Sequence, residues 1–368
     1  MRKLLFKSTL LALPFLVATG LEAFVLPVDS FTFRLWEALR IDTFGELLPG
    51  VFYPRMDVTT VEEGDLGHHS VNAVKKLVRW QTDRYGFRKA DSDRTAWPVV
   101  IVGDSIAAGS SLTQRELLSE VLGGTLGVDV YPLAPADMNG FLRDERFTAH
   151  PPKIVVVECV ERTIPGCLPE VRDTMTERPR SSRPINEWVR RVGVIQRIGV
   201  PLDRIWKGTL RNNARASVER KLARVTGTRA PQRGGPKEML FLSPVNTPIP
   251  EADRNTTVAR LTGYQRILGR RGIRLVFLPI PEKQNIHHRQ LPGAERPRSL
   301  ARLIAALRDA GVETVDTQAA LDDAYQRDGV PLYHTDDSHL NGRGIRVVAD
   351  QVAQMIGPPG TSSPSPRR

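Results

Sequence analysis

The sequence predicts an α/β fold: a doubly wound parallel sheet flanked by helices. Two apolar, β-branched runs, Val99-Val100-Ile101-Val102 and Ile154-Val155-Val156-Val157, show no polar alternation, as strands buried on both faces should. Segments of helical period stand between such runs, and strands alternating with helices build a parallel sheet. The chain of 368 residues is 40% apolar and 25% charged, which supplies material for a buried core. That composition excludes collagen-like, coiled-coil, polytopic membrane and wholly disordered classes.

Arg2, Lys3 and Lys7 precede an apolar run from Ser8 to Leu26, interrupted only by Glu22. Residues 1–27 therefore read as a signal-anchor transmembrane helix that leaves the rest of the chain outside the cytoplasm, at the cell inner membrane. A signal peptide cleaved near Ala18-Thr19-Gly20 is the alternative. Residues 28–95 read as an irregular extension, with Pro27 before it and Pro54 and Glu62-Glu63-Gly64-Asp65 within it.

The first core strand is Val99–Val102. Thr113 with Glu116 forms a capping box before a stripe of Leu117, Leu118, Val121 and Leu122. A strand over Val128–Leu133, a helix over Met138–Phe147 and a strand over Ile154–Val157 follow. Helices over about 255–271 and 299–310 precede strands at Arg274–Leu278 and Val312–Val315, and Gly342–Ile356 is the last helix. The core thus comprises residues 96–168 and 239–357, and 358–368 form a Pro-, Ser- and Gly-rich tail.

Residues 169–238 do not fit this alternation. Between Glu170 and Glu238 stand 17 Lys/Arg against 7 Asp/Glu, a net of +10 within a chain total of +11. With Trp188, Trp206 and apolar residues at helical spacing, the segment reads as a basic helical insertion. It serves either as a solvated lid or as a surface for an anionic headgroup or polymer. Export argues against chromosomal nucleic acid as the partner of this charge.

Gly103-Asp104-Ser105 directly follows the first core strand. A nucleophilic serine belongs on a tight turn there, at the carboxyl end of the sheet, with a helix N-terminus behind it. His339, just before the last helix, can serve as its general base, and an aspartate can hold the imidazole tautomer. Three-residue spacing favours Asp336 for that role, with Asp337 the alternative. His68-His69 and His287-His288 are adjacent pairs without helical i,i+4 partners or nearby Cys, so neither a metal nor any other cofactor is expected. Cys159 and Cys167 lie eight apart and read as two unpaired thiols, with a disulfide across the turn as the alternative.

Gly103-Asp104-Ser105 early and Asp336-Asp337-Ser338-His339 late resemble the SGNH, or GDSL-type, hydrolase superfamily, whose sheet is flavodoxin-like. Tyr85-Gly86-Phe87-Arg88, Glu158-Cys159-Val160-Glu161-Arg162 and Pro279-Ile280-Pro281-Glu282-Lys283 resemble its exported branch, which includes alginate O-acetyltransferase and other cell-envelope polysaccharide O-acetylation proteins. The resemblance covers roughly residues 80–168 and 240–356.

It implies Ser105 as nucleophile, His339 as base and the Ser105 backbone N–H as first oxyanion donor. The superfamily's other two donors, a Gly N–H and an Asn side chain, have no counterpart here. This sequence has Ala134-Pro135-Ala136-Asp137-Met138-Asn139-Gly140 and Glu158–Arg162 in their places. Gly103, Asp104, Asn139 and Arg162 are the oxyanion or substrate candidates. Arg162 reads equally as an ion-pair partner of Glu158 or Glu161. The implied activity is O-acyl transfer, acetyl the expected group, to an envelope or exported polysaccharide, with the acyl group delivered by a membrane acyltransferase partner. A secreted carbohydrate esterase or lipase-like hydrolase, and a non-catalytic envelope assembly protein on the same scaffold, are the alternatives.

Overall fold

The computed structural model describes residues 2–24, 52, 54–67, 72–171, 232–234, 239–242, 248–291 and 296–357. Four parallel strands form its core sheet: β3 (Val99–Val102), β4 (Val130–Leu133), β5 (Ile154–Val160) and β8 (Arg274–Ile280), in the order β4-β3-β5-β8. Val99 pairs with Val130 on one side and Ile154 on the other, and Ile154 pairs with Arg274. β3 is buried along its whole length, which accounts for its unbroken apolarity.

Alternate residues of each strand enter two separate cores. Val99, Ile101, Val130, Val156 and Val276 pack with α2 (Leu118–Leu126), α8 (Thr317–Asp328) and α9 (Gly342–Ile356) on one face. Val100, Val102, Tyr131, Val155 and Phe277 pack with α5 (Glu251–Arg270) and α7 (Ser299–Asp309) on the other. The chain winds from β3 to β4 on one side and then crosses back to β5 on the other. The crevice at the carboxyl ends of β3 and β5 is thus a topological switch point, where ligands bind in such sheets.

Several expectations need correction. Val312–Val315 makes only an isolated parallel bridge, Phe277 to Thr314, not a strand. The Met138–Phe147 helix is two short ones, α3 (Met138–Arg143) and α4 (Glu145–Ala149), broken where Asp144 caps the second. Glu116 accepts the Thr113 N–H at 3.2 Å, but the capped element is a single 3-10 turn and α2 begins only at Leu118.

The extension 28–95 is not wholly irregular. β1 (Asp57–Glu62) and β2 (Lys76–Gln81) pair antiparallel. Val78 and Trp80 point inward between exposed neighbours, the alternation of a one-sided sheet. Trp80 packs edge-on against Phe52 at 5.2 Å between centroids.

The N-terminal segment forms α1 (Arg2–Phe24), yet no helix among the described residues is long and apolar enough to cross a membrane. Arg2, Lys3 and Lys7 take up its first turns. Pro14 lies inside the helix. Most of the basic insertion and the tail lie outside the described residues. Within 169–238 the described end is a strand, β6 (Gln232–Gly234), antiparallel to β7 (Met239–Phe241).

Cys159 and Cys167 are joined in a disulfide, and neither is a free thiol. β5 ends at Val160, and the 3-10 turn Glu161–Thr163 doubles the chain back. That turn brings the two Cα atoms to 6.0 Å, a separation a disulfide spans. Replacing both cysteines with serine is expected to lower the unfolding free energy by about 2–3 kcal/mol, the chain-entropy value for so short a loop. Denaturant unfolding of the double variant measures this. Alkylation before and after reduction checks the pairing: the unreduced protein takes up no reagent.

Candidate active site

The turn after β3 carries Ser105. Gly103 leaves β3 against Glu158, and a Cβ there would stand 2.4 Å from Glu158 Oε2, so only glycine fits. Residues 105–111 form consecutive turns rather than the helix start expected behind Ser105. Ala108 N–H donates to Asp104 O and Ser110 N–H to Ser105 O, each at 2.9 Å.

Arg88, the last residue of Tyr85-Gly86-Phe87-Arg88, braces these turns from below. Its guanidinium, fully buried, donates to the carbonyls of Ala108, Gly109 and Leu112 and lies 3.7 Å from the Trp80 ring centroid. Burying a guanidinium is costly unless its donors are matched, and here carbonyls match several of them.

His339 sits on the loop before α9, where Asn341 caps the helix by accepting the N–H groups of Arg343 and Gly344 at 3.0 Å. His339 Nε2 is 2.8 Å from Ser105 Oγ. The pair lies within the hydrogen-bond reach that proton transfer needs. On the other side of the ring, Nδ1 is 2.5 Å from Asp337 Oδ1. A carboxylate there fixes the tautomer: Nδ1 carries the proton, and Nε2 is left to accept from the serine hydroxyl.

Asp337, not Asp336, is therefore the acid beside His339. Asp337 is fully buried, and its Oδ1 also accepts the His339 N–H at 2.9 Å, so the side chain turns back on its own loop two residues on. Its Oδ2 accepts from Ser111 Oγ at 2.5 Å and from Asp65 N–H at 3.3 Å. Asp336 faces the N-terminal extension instead. Its Oδ2 accepts the N–H groups of Gly64 and Val74 at 2.8 Å, and Lys76 Nζ lies 3.5 Å from Oδ1. Its carbonyl accepts from Leu66 and Gly67. A Cβ at Gly64 would stand 2.2 Å from that carbonyl oxygen.

One contributor, Asp65, escaped the sequence reading. Asp65 accepts Ser338 N–H at 2.8 Å and Ser338 Oγ at 2.6 Å, so the extension holds the triad loop on a second side. Lys283, of Pro279-Ile280-Pro281-Glu282-Lys283, donates to the carbonyls of His334 (2.5 Å), Thr335 (3.0 Å) and Asp337 (2.9 Å). Burial pushes its ammonium down to about 7, against the opposing pull of Asp337, Asp65 and Asp336. Burial likewise pushes His334, next in the same loop, down to about 3, so it is neutral at neutral pH.

Asp65, Asp337 and His339 offer atoms within 4.8 Å of one another, close enough to surround an ion. The donor set is already committed: His339 Nδ1 faces Asp337, and both Asp65 oxygens face Ser338. An imidazole nitrogen that holds a proton toward a carboxylate has no lone pair for a metal. His287 is buried against the rings of Tyr325 and Tyr333, and His68-His69 lies outside the described residues.

The oxyanion candidates are placed differently from expectation. Ser105 N–H donates to Asp104 Oδ1 at 2.7 Å, so Asp104 caps the donor assigned to the cleft. Asp104 N–H itself donates to Glu158 Oε2 at 2.8 Å. The carbonyl of Gly103 accepts Ala136 N–H at 2.9 Å. Asn139 is held away: Nδ2 donates to Glu170 O and Oδ1 accepts from Tyr264 Oη, both at 3.2 Å. Arg162 pairs with neither Glu158 nor Glu161 but with Glu282, at 2.8 Å. It still feels Asp65 and Asp104, which help raise its pKa against burial.

Glu161 turns inward, accepting from Glu282 N–H at 3.0 Å and from Asn285 Nδ2, and burial raises its pKa to about 7. It fixes the start of the helical turn α6 (Lys283–Ile286) that presents Lys283.

A cavity of about 500 Å³ opens at the carboxyl ends of β3, β4 and β5, within the usual range for small-molecule sites. Gly103, Asp104, Ala136, Met138, Glu158 and Cys167 are among its walls.

No curated protein matches the sequence. Among solved structures, the chain is similar to a protein of the lipolytic G-D-S-L family from Desulfitobacterium hafniense DCB-2, at 11% identity and a TM-score of 0.35, covering 70% of this chain and 98% of that one. It is also similar to a member of the lipolytic protein G-D-S-L family from Veillonella parvula DSM 2008, at 11% identity and a TM-score of 0.34, covering 70% of this chain and 96% of that one. A family model described as SGNH hydrolase-like domain, acetyltransferase AlgX, matches residues 234–365. That span includes Lys283, Asp337 and His339, though not Ser105, and over it the chain is similar to that SGNH hydrolase-like domain.

Proposed function

We propose that this chain is a serine O-acyltransferase that moves an acyl group, acetyl by its likeness to the acetyltransferase family, onto a sugar hydroxyl of an envelope or exported polysaccharide. One observation carries the reading: Ser105 Oγ, His339 and Asp337 stand in a continuous hydrogen-bonded line at the sheet's switch point. His339 takes the Ser105 proton as Oγ attacks the acyl carbonyl, and returns it to the leaving group as the acyl-serine ester forms. The acceptor hydroxyl then loses its proton to His339 and attacks that ester, and the proton passes back to Ser105. Asp337 stabilises the imidazolium in both steps.

The Cys159–Cys167 disulfide supports a place outside the reducing cytoplasm. An acyl donor supplied by a membrane acyltransferase belongs to the same proposal.

The test offers an acetyl ester donor with and without an oligosaccharide acceptor and measures acetylated sugar and free acetate by mass spectrometry. Acetyl-sugar formed in preference to acetate, and lost in Ser105→Ala, is the expected result. Acetate alone, acceptor or not, assigns an esterase. Equal rates for Ser105→Ala and the natural chain remove Ser105 from the chemistry and favour an assembly role.

A further inference from the structure

Asp65 lies on the loop between β1 and β2, in the N-terminal extension, and no step above uses it. Its N–H donates to Asp337 Oδ2 at 3.3 Å. Its side chain takes the next residue of the triad loop: Oδ1 accepts Ser338 N–H at 2.8 Å, and Oδ2 accepts Ser338 Oγ at 2.6 Å. Both oxygens accept, the pattern of an ionised carboxylate. Ser338 Oγ gives its proton to that bond, so its lone pairs face His339 Nδ1, 3.4 Å away. Asp65 Oδ2 itself stands 3.8 Å from Nδ1. The Asp65 side chain is 17% exposed, so water screens its charge only in part.

We propose that Asp65 is a positioning residue for the triad: it holds Ser338 against the His339 ring and sets a second carboxylate beside Nδ1. The imidazolium formed at each proton transfer is then stabilised by two acids, Asp337 in contact and Asp65 behind Ser338. The proposal rests on the acyl-transfer reading for its kinetic part. A carboxylate about 4 Å away attracts the charged ring far more than the neutral one, so it favours the reacting state over the resting one. Other groups face the same ring. Ser105 meets Nε2 as a neutral hydroxyl, and Asp337 acts in the same sense as Asp65. Lys283, behind the loop carbonyls, acts in the opposite sense while protonated, and His334 is neutral. Arg162, from the turn after β5, is drawn to Asp65 but paired with Glu282, and Lys76 pairs with Asp336.

Two measurements test this. In the first, the titration of the His339 ring is followed by NMR from about pH 4 to 9, its signals assigned by their loss in His339→Gln. Asp65→Asn, which keeps an oxygen for Ser338 N–H, is expected to lower the midpoint by about one pH unit. Loss of Asp65 also lets Lys283 shed its proton more readily. That change favours the charged ring, so a downward move is not a Lys283 effect. Ser338→Ala, which removes the hydroxyl between the two groups, should move the midpoint the same way by less. An unmoved midpoint in Asp65→Asn overturns the proposal. If that variant does not fold, an unmoved midpoint in Ser338→Ala does so.

In the second, kcat and KM for phenyl acetate are followed over the same pH range. Asp65→Asn is expected to lower kcat by about tenfold and to leave KM within about twofold, because the effect falls on the proton transfer and not on ester binding. The acid limb of kcat/KM should move to lower pH together with the NMR midpoint. A residue that only braced the loop would lower stability and leave that limb in place, so an unmoved limb overturns the proposal. Absence of turnover in the natural chain overturns the acyl-transfer reading instead and leaves the NMR result to decide on Asp65.

Discussion

Asp337→Asn is expected to lower kcat by on the order of 10⁴-fold, the loss found when the acid of a serine triad is made an amide. The geometry gives the cause. Asp337 Oδ1 accepts both from His339 Nδ1 and from the His339 backbone N–H. An amide placed there can donate to Nδ1, which drives the ring proton to Nε2 and leaves no base facing Ser105. Asp336→Asn should behave otherwise. It keeps an oxygen for Gly64 and Val74 but loses the charge beside Lys76, which costs about 1–3 kcal/mol of stability. Its kcat should stay within about tenfold. Steady-state kinetics with an acetyl ester, alongside denaturant unfolding of both variants, separate the two effects. The reverse ranking in kcat returns the acid role to Asp336.

The choice between these neighbours shows where the sequence stops being informative. Ser105 and His339 were legible because each is tied to an element with a strong pattern: a buried strand before one and a capped last helix after the other. The order along the chain then brought them to one sheet edge. Which aspartate faces the ring is set by something spacing does not encode. Asp337 bends back on its own loop, and Asp336 is claimed by backbone donors 262 and 272 residues away.

Those donors belong to the loop between β1 and β2, and the extension was read as irregular. Its signal was present in Val78-Arg79-Trp80-Gln81, apolar and polar in turn, a short pattern on a single hairpin strand. The cysteine pair was ambiguous for a similar reason. Eight residues permit either state, and only the reversal after β5 decides. α1 was correctly a helix, but no helix among the described residues is long and apolar enough to cross a membrane.

Lys283→Met is the second substitution with a large expected effect, and it acts through the backbone of the triad loop rather than through a triad side chain. An ammonium has three N–H donors, and Lys283 Nζ lies within 3.0 Å of three loop carbonyls, those of His334, Thr335 and Asp337. Methionine fills a similar volume and donates nothing. Each carbonyl left without a partner in a buried site costs about 1–3 kcal/mol, so the total loss of stability should be about 3 kcal/mol or more. The loop also carries Asp337 and His339, so its loosening should lower kcat by about 10²-fold, the scale set by an ångström of misplacement.

A pH signature separates this from generic damage. Burial holds the Lys283 pKa in the folded chain at about 7, against 10.5 as the ordinary value. Between those limits the unfolded chain binds the extra proton, so stability should rise with pH there, by up to about 1.4 kcal/mol per unit. Glu158 and Glu161, raised to about 8 and about 7, act in the opposite sense, but their influence is nearly complete by about pH 9. Unfolding free energies from pH 9 to 10 should therefore climb in the natural chain and stay flat by comparison in Lys283→Met. Parallel slopes would remove Lys283 as the group that ties β8 to the triad loop.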